Sequence, residues 1–324
     1  MVSANKFRGC LLGVLCGDVL GAPVEGLSAA QIRRRHGRVT AIIPGADGFA
    51  RYTDDTEMTL SLARSLVRCD GRVDAADCAV ACAADFDPQR GYGRSAVTVL
   101  QALQAGADWQ QTGELLFPGG SFGNGAAMRI APLGLLYGTA PPAVLRQAVK
   151  DAVAATHVHP EAIEGAVLLA RTIGRARDLE PSQADSLRPI LTELSALCQY
   201  GALTERLGLV TDLLRQQIAV AVAQRQLGSG VRTLDSVPFA IYLALRFAAE
   251  PLAGLLAAVN AGGDTDTVAA MSGAILGALH GDHAFPEAWL GRLESGENGL
   301  EGVLELAGGL YRLFAQYRSG NIAS

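Results

Sequence analysis

The chain has 324 residues, 49% hydrophobic and 6% aromatic, with a formal net charge of −5. With a pI near 5.6 it lacks the positive field of a general nucleic-acid or membrane-surface binder, so an anionic substrate must be held by local groups. A chain this long buries roughly three quarters of its unfolded surface, and no shift in composition divides it, so a single domain over 1–324 is expected.

From the N-terminus, residues 5–22 read as a helix with Gly9, Gly13, Gly17 and Gly21 on one face. Each glycine costs on the order of 1 kcal/mol of helix propensity against alanine, and close approach of another helix is the natural compensation. Gly273, Gly277 and Gly281 repeat the spacing, and GCLLGVLCGD (9–18) resembles GAILGALHGD (273–282). These two helices are expected to pack together at the centre. Asp18 interrupts the first apolar run, no cleavage pattern follows it, and no stretch of membrane-spanning length is free of charge. A cytoplasmic protein without membrane attachment is expected. The six cysteines, at 10, 16, 69, 78, 82 and 198, form no Cys-x-x-Cys pair and read as reduced thiols.

Pro23 ends the first helix, and Glu25 lies in the loop beyond it. A basic segment (31–38), a lone strand signal at 39–43 and a turn-rich stretch (44–52) lead to Thr53-Asp54-Asp55-Thr56. Helical periodicity then covers 56–69, 74–86, 95–105, 126–137, 141–155, 160–177, 188–200, 205–226, 237–249, 251–259, 267–281 and 299–317. Loops are expected at 178–187, 227–236 and 282–298. The fold class that follows is all-α, a many-helix bundle.

Two acidic clusters carry the chemistry. Thr53-Asp54-Asp55-Thr56 and Gly262-Gly263-Asp264-Thr265-Asp266-Thr267 each open an apolar helix. Either one alone is explained by helix capping. Together, two acid doublets repel one another unless a cation is shared. An all-oxygen donor set points to Mg²⁺, Mn²⁺ or Ca²⁺ and away from zinc. GGSFGNG (119–125) offers glycine amides ahead of a helix, a seat for phosphate, or else a plain turn capped by Ser121 or Asn124. Phe122 within it would offer a face to a nucleobase. His157, between two helices with no second ligand nearby, reads on its own as a hydrogen-bonded structural histidine. No Gly-x-Ser-x-Gly elbow or cysteine–histidine signature is present, which argues against a covalent nucleophile.

The set of motifs GCLLGVLCGDVLGAPVE (9–25), YTDDTEMTL (52–60), RGYG (90–93), GGSFGNGAAMRIAPLGLLY (119–137), THVHPEAIEGA (156–166), DSVPFAIYLALR (235–246) and GGDTDTVAAMSGAILGALHG (262–281) resembles the ADP-ribosylglycohydrolase family. That all-α, magnesium-dependent family includes dinitrogenase reductase-activating glycohydrolase, and the similarity is strongest to its ADP-ribosylhydrolase 3 branch. The resemblance implies a hydrolase releasing ADP-ribose from O-linked substrates: serine-ADP-ribose, poly(ADP-ribose) and O-acetyl-ADP-ribose. An arginine-specific N-linked hydrolase is the alternative, and a non-catalytic ADP-ribose binder ranks below it. It implies two Mg²⁺ ions, with Mn²⁺ as a substitute, held by Thr53, Asp54, Asp55, Asp264, Asp266 and Thr267. Glu25 would cover the site, with either Glu25 or Asp55 handling protons. Gly91, Tyr92 and Gly93 would meet substrate. Gly120, Ser121, Phe122, Gly123, Asn124 and Gly125 would embrace the diphosphate, with His157 assisting and Val231 near the adenosine. The expected partners are ADP-ribose and ADP-ribosylated proteins, met by a monomer that reads no nucleic-acid sequence.

Overall fold

The glycine stripe does form a helix, α1 (Ala4–Gly21). It leads into α2 (Ala29–His36), α3 (Asp54–Arg68), α4 (Ala75–Asp85) and α5 (Arg94–Gln104). Short turns α6 (Trp109–Thr112) and α7 (Gly125–Met128) precede α8 (Ala131–Tyr137), α9 (Pro142–Val153) and α10 (Pro160–Asp178). Then come α11 (Ile190–Leu197), α12 (Gly201–Arg215), α13 (Val220–Leu227), α14 (Thr233–Arg246), α15 (Pro251–Val259), α16 (Thr265–His280), α17 (Glu287–Leu290) and α18 (Leu300–Arg318). The structure is a computed structural model and describes residues 2–318, so the ends of the expected 1–324 domain lie outside the described residues.

Local chemistry accounts for most boundaries. Ser28 and Gln31 close a reciprocal capping box on α2, while Asp74 accepts the Asp77 amide at 3.0 Å ahead of α4. Proline opens α9, α10 and α15, where its missing N–H goes unneeded.

Several boundaries differ from the periodicity. The segment 39–43 is not a strand, and the described residues contain none; Val39 instead exchanges both backbone groups with the Asn260 side chain, at 3.0 and 2.9 Å. The basic segment is α2. The helix expected over 205–226 breaks where Gln217 takes φ +52°, outside helical space. Pro132, in the first turn of α8, separates α7 from α8. α14 begins one turn before Pro238 because the Arg232 carbonyl accepts the Asp235 and Ser236 amides. The loops expected at 178–187 and 282–298 contain a 3-10 turn at Pro181–Leu187 and the short α17.

α1 and α16 run antiparallel through the centre as one backbone-to-backbone seam. A Cβ on Gly9 would strike Gly277 and Gly281, one on Gly13 would strike Gly273, and one on Gly17 would lie 2.6 Å from the Ala270 nitrogen. No side chain fits between the two helices. Ala4–Val24 is long and apolar enough to cross a membrane, and 83% of its most apolar window is buried inside the protein. None of the six cysteines is in a disulfide, and four are buried.

Candidate functional site

The seam sets the register of both acidic clusters. At its far end a Cβ on Gly21 would lie 2.5 Å from the Thr265 carbonyl carbon, so α1 abuts the very turn that starts α16. One turn earlier, Asp18 is fully buried and reaches the other cluster. Its carboxylate accepts the Thr53 amide at 3.0 Å, the Thr56 amide at 3.0 Å and the Thr56 hydroxyl at 2.6 Å. Burial pushes the Asp18 carboxyl up to about 6, against the pull of these hydrogen bonds. Asp18 thus ties the N-terminus of α3 to the helix that already fixes α16.

The turn before α16 needs glycine. Gly262 and Gly263 sit at φ +82° and +93°, and a Cβ on Gly262 would meet Ala29 and Leu27 backbone at 2.6 and 2.7 Å. The Ser229 carbonyl accepts the Asp264 amide at 2.7 Å and fixes the turn from outside.

Around this frame Glu25, Asp54, Asp55, Asp264, Asp266 and Thr267 line one cleft of about 310 Å³. The two clusters touch directly: the Thr267 hydroxyl donates to Asp55 Oδ2 at 3.1 Å. Carboxylate oxygens of Glu25, Asp264 and Asp266 all lie within 4.8 Å of one another, which puts Glu25 inside the acid group and not merely above it. Burial, then the neighbouring Asp18, drives the Asp54 carboxyl up to about 8. Asp55 and Asp266 are likewise pushed well up by burial and by the acids beside them.

Capping does not account for these acids. Asp264 occupies the N-cap of α16 yet makes no side-chain cap bond. Asp55 Oδ1 is buried with no hydrogen-bond donor in reach among the described residues, a costly arrangement for a carboxylate unless a cation faces it. An all-oxygen donor set with an orphaned buried oxygen fits a hard divalent cation. Thr53 differs from the rest. It is the N-cap of α3, accepting the Asp55 amide at 3.4 Å, and is not among the residues lining the cleft.

The 119–125 loop forms the opposite wall. It is strapped to the start of α14 by the Asn124 amide donating to the Val231 carbonyl at 2.9 Å, and the Thr233 amide to Phe122 at 3.1 Å. Ser121, Gly123, Asn124, Gly125 and Val231 line the cleft; Gly120 and Phe122 do not. Asn124 is already engaged, its amide donating to Asp264 Oδ2 at 2.6 Å and Ser236 Oγ at 3.0 Å, so it orients an acid where a diphosphate contact was expected. Phe122 is 53% exposed, beneath the Arg232 guanidinium at 5.2 Å and edge-on to His159. Buried Glu161 holds that arginine through contacts of 2.9 and 2.7 Å.

His157 packs on Gly125 and its Nδ1 lies 2.9 Å from Thr156 Oγ1, itself bonded by Arg129 at 2.6 Å. Burial, helped by the Arg129 charge, lowers its imidazole to about 3. The ring that faces the cleft is therefore neutral near pH 7. Tyr92 turns away from the cleft: it is buried against Phe86 and donates to Glu57 Oε1 at 2.8 Å, while Gly91 and Gly93 beside it line the opening. Sequence reasoning missed Asp18 and Ser229. It saw Asp18 only as a break in an apolar run, although a carboxylate three residues before Gly21, the last glycine of the stripe, was the available signal.

A family model described as ADP-ribosylglycohydrolase matches residues 2–320. An uncharacterized protein of Archaeoglobus fulgidus is 36% identical, covering 95% of this chain and 97% of that protein. ADP-ribosylhydrolase ARH3 of Mus musculus is 32% identical over 97% of this chain and 93% of its own length. The Homo sapiens protein of that name is 32% identical over 96% and 94% respectively. A solved chain of an ADP-ribosylglycohydrolase-related protein complex superposes with a TM-score of 0.70 at 28% identity, covering 96% of this chain and 98% of that one.

Proposed function

Since the chain belongs to the ADP-ribosylglycohydrolase family and is a glycohydrolase of ADP-ribose linkages, we propose that its substrates are O-linked: serine-ADP-ribose, poly(ADP-ribose) and O-acetyl-ADP-ribose. The observation that carries a cation-dependent reading is the orphaned Asp55 Oδ1 beside the Thr267–Asp55 bond. Asp54, Asp55, Asp264, Asp266 and Thr267 would hold two Mg²⁺ ions, with Thr53 supporting from the cap of α3. When bound, the ions supply electrophilic assistance and a template for vicinal ribose hydroxyls.

The rest is the work of the chain's own groups. The Ser121–Gly125 loop offers the diphosphate its amides other than those of Gly123 and Asn124, which donate to Ser121 Oγ and the Val231 carbonyl, and the exposed Phe122 ring, backed by Arg232, offers a stacking face. The acids around C1 of the distal ribose stabilise oxocarbenium charge as the bond to the leaving oxygen breaks and one from water oxygen forms. Glu25 is the better placed proton carrier. It reaches solvent, and burial together with Asp264 and Asp18 raises its carboxyl, so it exchanges a proton nearer to neutral pH than an ordinary glutamate. The proton taken from water at Glu25 Oε replaces the one given to the leaving oxygen.

Working as a monomer in the cytoplasm completes the reading; size-exclusion chromatography and cell fractionation test those two points. The decisive experiment is a product assay on defined serine- and arginine-linked ADP-ribosyl peptides, with Mg²⁺ and with chelator. Release from the serine peptide that stops on chelation supports the proposal, and preference for the arginine peptide overturns the O-linked assignment.

A further inference from the structure

A second concavity lies behind the carboxylate-bearing turn. Glu25 and Asp264 line the cleft, whereas the next residues outward, Gly26 and Gly263, line a groove of about 820 Å³. The two share a wall in which the Gly26 amide donates to the Gly263 carbonyl at 2.9 Å. Arg33 and Arg38 stand on one side of the groove, on and just beyond α2, and Arg225 of α13 stands on the other. No aspartate or glutamate lines it.

This charge pattern is local. The chain as a whole carries −5, and many arginines elsewhere are paired with acids, as in Arg8–Asp282, Arg64–Asp85 and Arg90–Glu294. Arg33, Arg38 and Arg225 are exposed and have no ion-pair partner among the described residues. The groove also has an apolar side, formed by Leu27, Phe247 and Leu256, each only partly buried. Guanidinium forks match phosphate oxygens in geometry and charge, while a half-exposed aromatic and aliphatic surface accepts a planar base. The volume suits a ligand of nucleotide size.

We propose that this groove is a second binding site for a nucleoside diphosphate moiety, with Arg33, Arg38 and Arg225 on the phosphates and Phe247 under the base. Two sources supply that chemistry. One is a free nucleotide. The other is the next unit of an ADP-ribose polymer whose terminal unit occupies the cleft, since a chain leaving past Glu25 crosses directly onto Gly26; that source rests on the substrate reading above.

The test uses the full chain, wild type against Arg33→Glu/Arg225→Glu, with circular dichroism as the folding check and Arg33→Gln/Arg225→Gln as the milder pair. The probes are ADP-ribose by calorimetry, and poly(ADP-ribose) and heparin by fluorescence anisotropy. A second ADP-ribose binding event that persists in Asp266→Ala but disappears in the charge-reversed pair establishes the free-nucleotide source. A single ADP-ribose event with at least tenfold weaker polymer binding in that pair, and little change for heparin, establishes the polymer source. Unchanged binding of both ADP-ribose ligands, or an equal loss for heparin, overturns the proposal. Failure of the hydrolase reading registers separately, as absence of product from the wild type in Mg²⁺, and leaves these binding results standing.

Discussion

Thr267 donates its hydroxyl hydrogen to Asp55 Oδ2 across 3.1 Å, joining positions 212 residues apart in sequence. The bond spans the first turns of two helices, α3 and α16, whose N-terminal ends bring partial positive charge to the same acids. That charge only partly offsets the crowding of carboxylates raised by burial and by one another.

Replacing Asp266 with alanine relieves part of this repulsion. In the presence of chelator Asp266→Ala should therefore melt no lower than the wild type, and in Mg²⁺ its turnover should fall by about a hundred- to a thousandfold. Mg²⁺ at many times its dissociation constant should raise the wild-type melting temperature, as expected for about 3 kcal/mol of linkage, and leave the variant unmoved. Differential scanning calorimetry with and without Mg²⁺ checks both; full activity in the variant would overturn the cation assignment.

Gly13 lies within the seam and does not line the cleft. Its substitution by alanine drives a methyl group into the Gly273 carbonyl, where backbone meets backbone and no side chain can rotate aside. Gly13→Ala should cost about 3 kcal/mol or more and lower the melting temperature by roughly 5 °C or more. Thermal unfolding measures it, and an unchanged melting temperature would show that the helices can part without penalty.

Asp18→Asn preserves shape but turns a donating amide towards donors. One of the Thr53 or Thr56 amides then loses its acceptor, at about 1–3 kcal/mol. The greater effect should be on Mg²⁺ affinity, because the cap of α3 loses its anchor to α1. Calorimetric Mg²⁺ titration should show weaker binding in Asp18→Asn; equal affinity would make Asp18 a purely local capping group.

His157 predicts an acid-side loss of stability. Its folded value, about 3, lies below the ordinary 6.5, so between those limits the unfolded chain binds the extra proton. Stability should fall as pH drops through 6.5, approaching a slope of about 1.4 kcal/mol per pH unit from this residue. The difference between wild type and His157→Asn, followed by urea unfolding at several pH values, should carry that slope. A difference that does not vary with pH would mean the imidazole takes up its proton as readily in the fold as in the unfolded chain.

Glu161→Gln weakens the paired contact that steadies Arg232 over Phe122. KM for an ADP-ribosyl peptide should rise several-fold with kcat little changed, the pattern of lost ground-state binding. A fall in kcat alone would detach Phe122 from substrate recognition.

The sequence made the central seam legible because glycines four apart have few other reasons to persist in a helix, and the matching stripes named each other. The acids at 54, 55, 264 and 266 were legible as a pair of clusters for a similar reason: one oxygen suffices to cap a helix, and each cluster had more. What was not legible depended on direction. RGYG spelled three neighbours of a cleft, yet Tyr92 turns inward to Glu57 while its flanking glycines face out. Asn124 looked like a phosphate ligand until Asp264 was found occupying its amide. The strand expected at 39–43 failed because a side chain, Asn260, satisfies Val39 on both its backbone groups, a long-range event without a local signature.

The α1–α16 seam also dictates when the cleft can exist. A chain emerging from the ribosome N-terminus first displays Gly9, Gly13, Gly17 and Gly21 long before Gly273, Gly277 and Gly281 have been synthesised. Until then the stripe has no complement and Asp18 has no fixed frame in which to hold Thr53 and Thr56. Closure across some 250 residues is the slow class of contact in folding. The acid cluster is therefore assembled only after α16 has been synthesised, and a nascent chain stalled before α16 carries half a set of oxygens and no cleft.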